Sequence, residues 1–180
     1  MNEKQLISAC QKGVKTAQYE LVKRYSGMLM SVCRRYVKDE STAKDILQES
    51  LIRIFKHIDG YKNIGSFEGW IRKITVRCAL AYLDKKHVRR ESSVADINTD
   101  ETTSPLALDN LGVEDIIKLV QDLPPGFRSV FNLNAIEGYS HKEIGKMLGI
   151  TESASRSQLT RARKLLQRKY TEINLKYKSA

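Results

Sequence analysis

The sequence predicts an all-α protein of two helical domains joined by a flexible acidic linker. Three observations carry that reading. Apolar residues recur at helical spacing over most of the chain, and no stretch alternates convincingly as a strand would. The segment from Glu91 to Gly112, ESSVADINTDETTSPLALDNLG, is poor in apolar residues and rich in Ser, Thr and Asp, which is linker composition. The charge also divides the chain, into two basic blocks that flank an acidic strip. Residues 1–90 hold 19 Lys/Arg against 9 Asp/Glu, residues 91–122 hold one Lys against 8 acids, and residues 123–180 hold 11 against 4. The predicted organisation is therefore a first domain over 1–90, a linker over 91–112 and a second domain over 113–180.

In the first domain, a short helix near residues 3–12 precedes a long one over 16–37, with Leu21, Val22, Tyr25, Leu29, Val32 and Tyr36 on one face. A second long helix over 41–58 buries Ile46, Leu47, Leu51, Ile54, Phe55 and Ile58. The turn-rich stretch DGYKNIG follows, bounded by Gly60 and Gly65. Ser66 is placed to cap a third long helix through about Arg89, with Phe67, Trp70, Ile71, Ile74, Cys78 and Ala81 inward.

In the second domain, helix resumes over Val113–Gln121. Pro124 and Pro125 break it, and a further helix carries Phe127, Val130, Phe131, Leu133 and Ile136. Ser140 and Glu143 have capping-box spacing, Ile144, Met147 and Leu148 form the stripe of a short helix, and Gly149 suits a left-handed C-cap. Thr151 can cap the last helix. At about 100° per residue, Ser155, Leu159, Ala162 and Leu166 fall on one side of it. Ser153, Arg156, Ser157, Thr160, Arg161, Lys164 and Arg168 fall on the other. Short helix, tight turn and basic helix make a helix-turn-helix.

That outer face suits DNA. Arginine can bond two guanine acceptors at once, and Ser and Thr are short enough to let a helix enter a major groove. Lys164 and Arg168, further along, suit phosphates. A solvated bundle helix is the plain alternative, but from Ser153 to Tyr170 there are six Lys/Arg and no acid, whereas surface helices mix signs. The net charge of +10 likewise points to a polyanion.

Other classes find little support. No run approaches the roughly 18 apolar residues of a membrane span, and MNEKQLISACQKG lacks a signal peptide's apolar segment. No membrane insertion and a cytoplasmic location are expected. Cys10, Cys33 and Cys78 lie far apart within apolar patterns and read as core thiols. His57, His87 and His141 are scattered, and no acids cluster at metal spacing, so no catalytic site, metal or cofactor is expected.

With both halves in view, the chain resembles the extracytoplasmic-function group of bacterial RNA polymerase sigma factors. LPPGFRSVFNLNAIEGYSHKEIGKMLGITESASRSQLTRARKLL looks like the family's region 4. AKDILQESLIRIF and GSFEGWIRKITVRCALAYLDKK look like region 2. The resemblance implies a factor that directs promoter recognition and initiation without catalysis of its own. The helix 41–58 would dock on the clamp helices of the polymerase's largest subunit through Asp45, Gln48, Glu49 and Ile52, a second stripe away from the core. Region 4 would meet the flap of the second-largest subunit. The loop and helix over 60–86 would open the downstream promoter element and hold the single strand, with Tyr61, Lys62, Asn63, Arg72, Lys73 and Arg77 as candidate contacts. Phe67 and Trp70 share the phase of Ile71 and Ile74 and read as core rather than as stacking platforms. The chain departs from the family pattern at Arg77, Ala81 and Asp84, where Asn, Asp and a basic residue are often seen. Arg156, Ser157, Thr160 and Arg161 would read the upstream element. Ser140, His141 and Lys142 are further phosphate-contact candidates, His141 equally a solvated residue. The linker, about 75 Å if extended, would span roughly two turns of duplex, either as a plain tether or along the RNA-exit path. An anti-sigma factor is a further partner of such proteins. The alternative is a conventional helix-turn-helix regulator with a helical sensor domain, which leaves the motifs over 41–86 without a purpose.

Overall fold

The computed structural model describes the backbone of residues 1–91 and 113–178 and the side chains of residues 1–85 and 115–172. The predicted linker over 91–112 lies almost wholly outside them. Contacts divide the chain into two units, Met1–Val94 and Ala95–Ala180. Among the described residues there is no strand.

The first unit opens with α1 (Glu3–Gln11). Asn2 and Gln5 cap it reciprocally, the Asn2 side chain accepting from Gln5 N (2.9 Å) and the Gln5 side chain from Asn2 N (3.1 Å). Helix α2 (Lys15–Tyr36) buries Leu21, Tyr25, Leu29, Val32 and Tyr36 as predicted, and Ala17 and Cys33 with them. Asp39 caps α3 (Glu40–His57), its carboxylate accepting from Thr42 N at 2.7 Å. A 3-10 turn (Ile58–Gly60) and the loop after it lead to α4 (Phe67–Glu91), where Ser66 Oγ accepts from Gly69 N at 3.3 Å.

Leu6, Ile7, Leu21, Leu29, Ile54, Phe67 and Ile71 form the centre of this unit's core, and each buried aliphatic or aromatic side chain contributes about 1.5–3 kcal/mol. Around Phe67 the rings of Tyr25, Tyr61 and Trp70 pack at centroid distances of 5.6, 5.1 and 5.7 Å. Helix α4 is buried more widely than its pattern predicts, since Thr75, Val76, Ala79 and Leu80 are enclosed as well as Ile71 and Cys78. It packs against both α2 and α3, so two sides need cover. The hydroxyls this encloses are satisfied inside their own helices: Ser50 Oγ donates to Ile46 O (2.6 Å) and Thr75 Oγ1 to Ile71 O (3.1 Å).

The second unit contains α5 (Val113–Gln121), α6 (Pro125–Phe131), α7 (His141–Leu148) and α8 (Glu152–Lys178). The helix predicted through Ile136 changes winding at Asn132 and finishes as a π turn, Asn132–Ile136. Arg128 is half-buried, Nε and Nη2 donating to Leu123 O at 3.3 and 2.9 Å. Burial pushes its guanidinium pKa down, against the opposing charge of Asp122. Asp122 also pairs with Lys169 at 3.3 Å, which ties the start of this unit to α8.

Candidate nucleic-acid interface

The second unit's surface is built on the turn between α7 and α8. Ser140 and Glu143 close the predicted capping box: the Glu143 carboxylate accepts from Ser140 N (2.9 Å) and Oγ (2.7 Å), and Ser140 Oγ accepts from Glu143 N (3.3 Å). Gly149 ends α7 in the left-handed region at φ 65°, where an L side chain would be strained. Ile150 N then donates to Gly145 O at 3.0 Å, folding the turn back on α7. The approach requires glycine at 145, because a Cβ there would stand 2.7 Å from Ile150 O. Thr151 Oγ1 accepts from Ala154 N (3.1 Å) and starts α8.

Helix α8 turns Ser155, Leu159 and Ala162 inward, with Leu166 half-buried beside them. Arg156, Ser157, Thr160, Arg161, Lys164 and Arg168 are all exposed. Two of these cations have helical partners: Arg156 Nη2 donates to Glu152 Oε1 (2.5 Å), and Arg168 Nε lies 3.4 Å from Glu172. The Arg156 hydrogen bond is the main cause that holds the Glu152 carboxyl below its ordinary pKa. Such exposed pairs are weak and exchangeable, so a nucleic acid can compete for the arginine. His141, a candidate for phosphate contact, is half-buried, with Nδ1 2.9 Å from Ser155 Oγ across the turn.

In the first unit, the loop between the 3-10 turn and α4 is pinned from below. Gln11 Nε2 donates to Ile58 O (3.0 Å) and Tyr61 O (3.4 Å), and Tyr61 Oη donates to Gly65 O (2.9 Å). One predicted contact is corrected here. Tyr61 is only 6% exposed, its ring packed on Phe67 and tilted against Trp70 at 5.4 Å, so no base can stack on it. The crest above it is open: Lys62, Asn63 and Ile64 are exposed, Asn63 takes φ 55°, and Ile64 is 82% exposed. Ile64 had no signal in the sequence beyond being apolar in a turn-rich loop. On α4, Lys73 and Arg77 are exposed, while Arg72 is half-buried with Nη2 3.8 Å from Glu68. Phe67 is fully buried and Trp70 half-buried against the core.

On α3, Asp45, Gln48, Glu49 and Ile52 form an exposed stripe, with Ile52 62% exposed. Glu49 accepts from Arg53 Nε at 2.6 Å. Cys10, Cys33 and Cys78 are free and buried, and among the described residues no group of His, Cys, Asp and Glu could hold a metal ion.

One unit carries a basic helix-turn-helix and the other an open loop beside exposed cations, features suited to a polyanion such as DNA. The chain matches the family models for Sigma-70 region 2 over residues 21–89 and for Sigma-70, region 4 over residues 114–166. It is 28% identical over 181 residues to the ECF RNA polymerase sigma-E factor of Salmonella typhimurium, covering 94% of both chains. It is 30% identical over 153 residues to the ECF RNA polymerase sigma factor SigE of Mycolicibacterium smegmatis, covering 82% of this chain and 59% of that one. Two solved structures share the fold: CnrH in complex with the cytosolic domain of CnrY (TM-score 0.53, 20% identity, 94% of this chain and 97% of that chain) and RpoE with the anti-sigma factor NepR from Bartonella quintana (TM-score 0.57, 17% identity, 83% and 94%). The chain belongs to the extracytoplasmic-function sigma factors, which direct RNA polymerase to promoters and start transcription without being enzymes.

Proposed function

We propose that this chain carries out promoter recognition through three separate surfaces. The outer face of α8 reads the upstream element, with Arg156, Ser157, Thr160 and Arg161 toward bases and Lys164 and Arg168 toward phosphates. The loop crest at Lys62 and Asn63, with Arg72, Lys73 and Arg77, holds the opened downstream element. The α3 stripe of Asp45, Gln48, Glu49 and Ile52 docks on the clamp helices of the polymerase. The second unit also meets the flap of the second-largest subunit. The protein then supplies no chemistry of its own and works in the cytoplasm; no helix among its described residues is long and apolar enough to cross a membrane. An anti-sigma factor is a further partner, on the precedent of the Bartonella quintana protein that shares the fold.

The single observation that carries the reading is the composition of α8: six exposed Arg, Lys, Ser and Thr side chains on one face, opposite a buried one. Two weak contacts on one promoter, with a third on the polymerase that holds it, reinforce one another when a tether lets them form together. A conventional regulator would share the α8 face but has no use for an exposed isoleucine among acids on α3. Arg156→Ala and Arg161→Ala should each cost about 1–3 kcal/mol of upstream-element discrimination if bidentate to a base. A gel-shift series in which both variants keep full sequence preference would refute the α8 assignment. Failure of the purified chain to associate with core polymerase would favour the regulator instead.

A further inference from the structure

We propose that Gln11 is a positioning residue for the downstream single strand: its side-chain amide, donating to Ile58 O and Tyr61 O, holds residues 62–64 in the shape that receives an unstacked base. The inference rests on the reading that this crest holds the opened downstream element, and it gives α1 a part in that task.

Helix α1 is fixed at both ends. Asn2 and Gln5 cap its start. Its end closes around a left-handed Gly13 (φ 74°), with Gly13 N donating to Cys10 O (2.9 Å) and Val14 N to Ala9 O (3.1 Å). Leu6, Ile7 and Cys10 are buried. Gln11, the last residue of the helix, therefore reaches out from a settled backbone. Its side chain is half-buried, and both groups it meets are backbone carbonyls, Ile58 O at 3.0 Å and Tyr61 O at 3.4 Å. Only the NH2 end of an amide can face two acceptors, and it has a proton for each.

These two carbonyls mark the start of the crest. Ile58 O also accepts from Tyr61 N (3.1 Å), and Tyr61 Oη ties down the far end by donating to Gly65 O (2.9 Å). Residues 62–64 must then cross between fixed points. They do so with left-handed backbone at Asn63 (φ 55°), followed by Gly65 (φ 78°), and the side chains of Lys62, Asn63 and Ile64 stand exposed. An apolar residue at 11 would extend the buried face of Ile7 more simply; an amide serves the loop. Unpairing a base has a cost that the protein must offset. Loop residues that become ordered only on binding add their conformational entropy to that cost. A crest shaped beforehand avoids the addition.

Two substitutions separate positioning from packing. Gln11→Met keeps the length and bulk of the side chain and removes both donations. Gln11→Lys returns N–H donors to the same place. NMR order parameters of the free chain read the crest directly. Holoenzyme assembled from the full chain and core polymerase reads its use, on a promoter selected from a randomised library and carrying 2-aminopurine at successive positions of the downstream non-template strand. Gln11→Met should bring the order parameters over 62–64 below about 0.6, the flexible range. It should also lower the equilibrium constant for opening about 5- to 10-fold, the scale of one or two neutral hydrogen bonds, with affinity for upstream duplex and for core unchanged. Gln11→Lys should recover most of both losses. The proposal is overturned if Gln11→Met opens the promoter as the wild type does, whether or not its crest loosens, or if Gln11→Lys is as impaired as Gln11→Met. Lys62→Ala and Lys73→Ala measured alongside test the downstream-element reading: full opening in both sinks that reading, whereas impaired opening there beside normal opening in Gln11→Met sinks the Gln11 inference alone.

Discussion

Replacing Gly145 by alanine tests how tightly the α7–α8 turn is built. Two effects oppose each other. Inside a helix, alanine is better than glycine by about 1 kcal/mol. At this position, however, the new Cβ would stand 2.7 Å from Ile150 O, where a relaxed carbon–oxygen contact needs about 3.3 Å. The obstacle is backbone, in the turn that Ile150 N closes by donating to Gly145 O. Relief therefore has to come from moving the turn by roughly half an ångström, which carries α8 with it. Overpacking of this kind costs about 1–3 kcal/mol, so the net expectation is a loss of about 1 kcal/mol. For a unit of this size that lowers the melting temperature by about 4–8 °C. Gly27 on α2 is the control, because a Cβ there meets nothing within 4 Å; Gly27→Ala should raise the melting temperature of the first unit. Calorimetry of both variants should thus give shifts of opposite sign, and upstream-element affinity should fall only for Gly145→Ala. A Gly145→Ala protein that is stabilised as Gly27→Ala is, with DNA binding intact, would refute the close-packed turn.

Other perturbations address the first unit. Tyr25 Oη donates to Glu3 Oε2 at 2.8 Å, and burial, then that bond, raises its pKa to about 12 from the ordinary 10. The folded state favours the protonated phenol, so this stabilisation is complete below pH 10 and is lost as pH rises through 12. Urea melts between pH 9 and 12 should show Tyr25→Phe less stable at pH 9 and with a shallower alkaline decline; parallel curves for the two proteins would count against the bond. Burial pushes the Cys33 thiol to about 12, with the nearby Cys78 adding to it. Native protein at pH 8 should therefore alkylate Cys33 only as fast as the first unit opens, and prompt labelling by iodoacetamide would contradict its enclosure. Asp45→Lys or Glu49→Lys reverses charge on the exposed α3 stripe and should weaken core-polymerase binding by about tenfold or more, leaving the melting temperature within about 0.5 kcal/mol of equivalent stability. Unchanged affinity for core would remove α3 as the docking surface.

The helices and their outward faces were legible because each is written within one segment. The spacing of Leu21, Tyr25, Leu29, Val32 and Tyr36 requires only the period of a helix, and the structure buries all five. The capping box at Ser140 and the C-cap at Gly149 are equally local. What was not legible depends on a partner from another element. A tyrosine in DGYKNIG reads as exposed until Gln11 of α1 and the rings of α4 arrive around it. Thr75 and Ser50 look like surface residues until α4 is packed from two sides. His141 reads as a surface residue until Ser155 closes on it from α8.

The candidate binding surfaces escape this difficulty for a physical reason. A face turned inward must satisfy neighbours that the local sequence does not name, so its composition is a compromise among several elements. A face turned outward answers only to solvent or to a molecule outside the chain. Solvent alone accepts charges of either sign, and it gives no reason for α8 to show Arg156, Arg161, Lys164 and Arg168 with no acid from Ser153 to Tyr170. Nor does it favour Ile52 standing exposed beside Asp45, Gln48 and Glu49. The two faces differ in kind: that of α8 suits a polyanion, and that of α3 suits a partly apolar surface that tolerates carboxylates. On the proposed assignment, promoter and polymerase would be held by chemically distinct surfaces that do not compete.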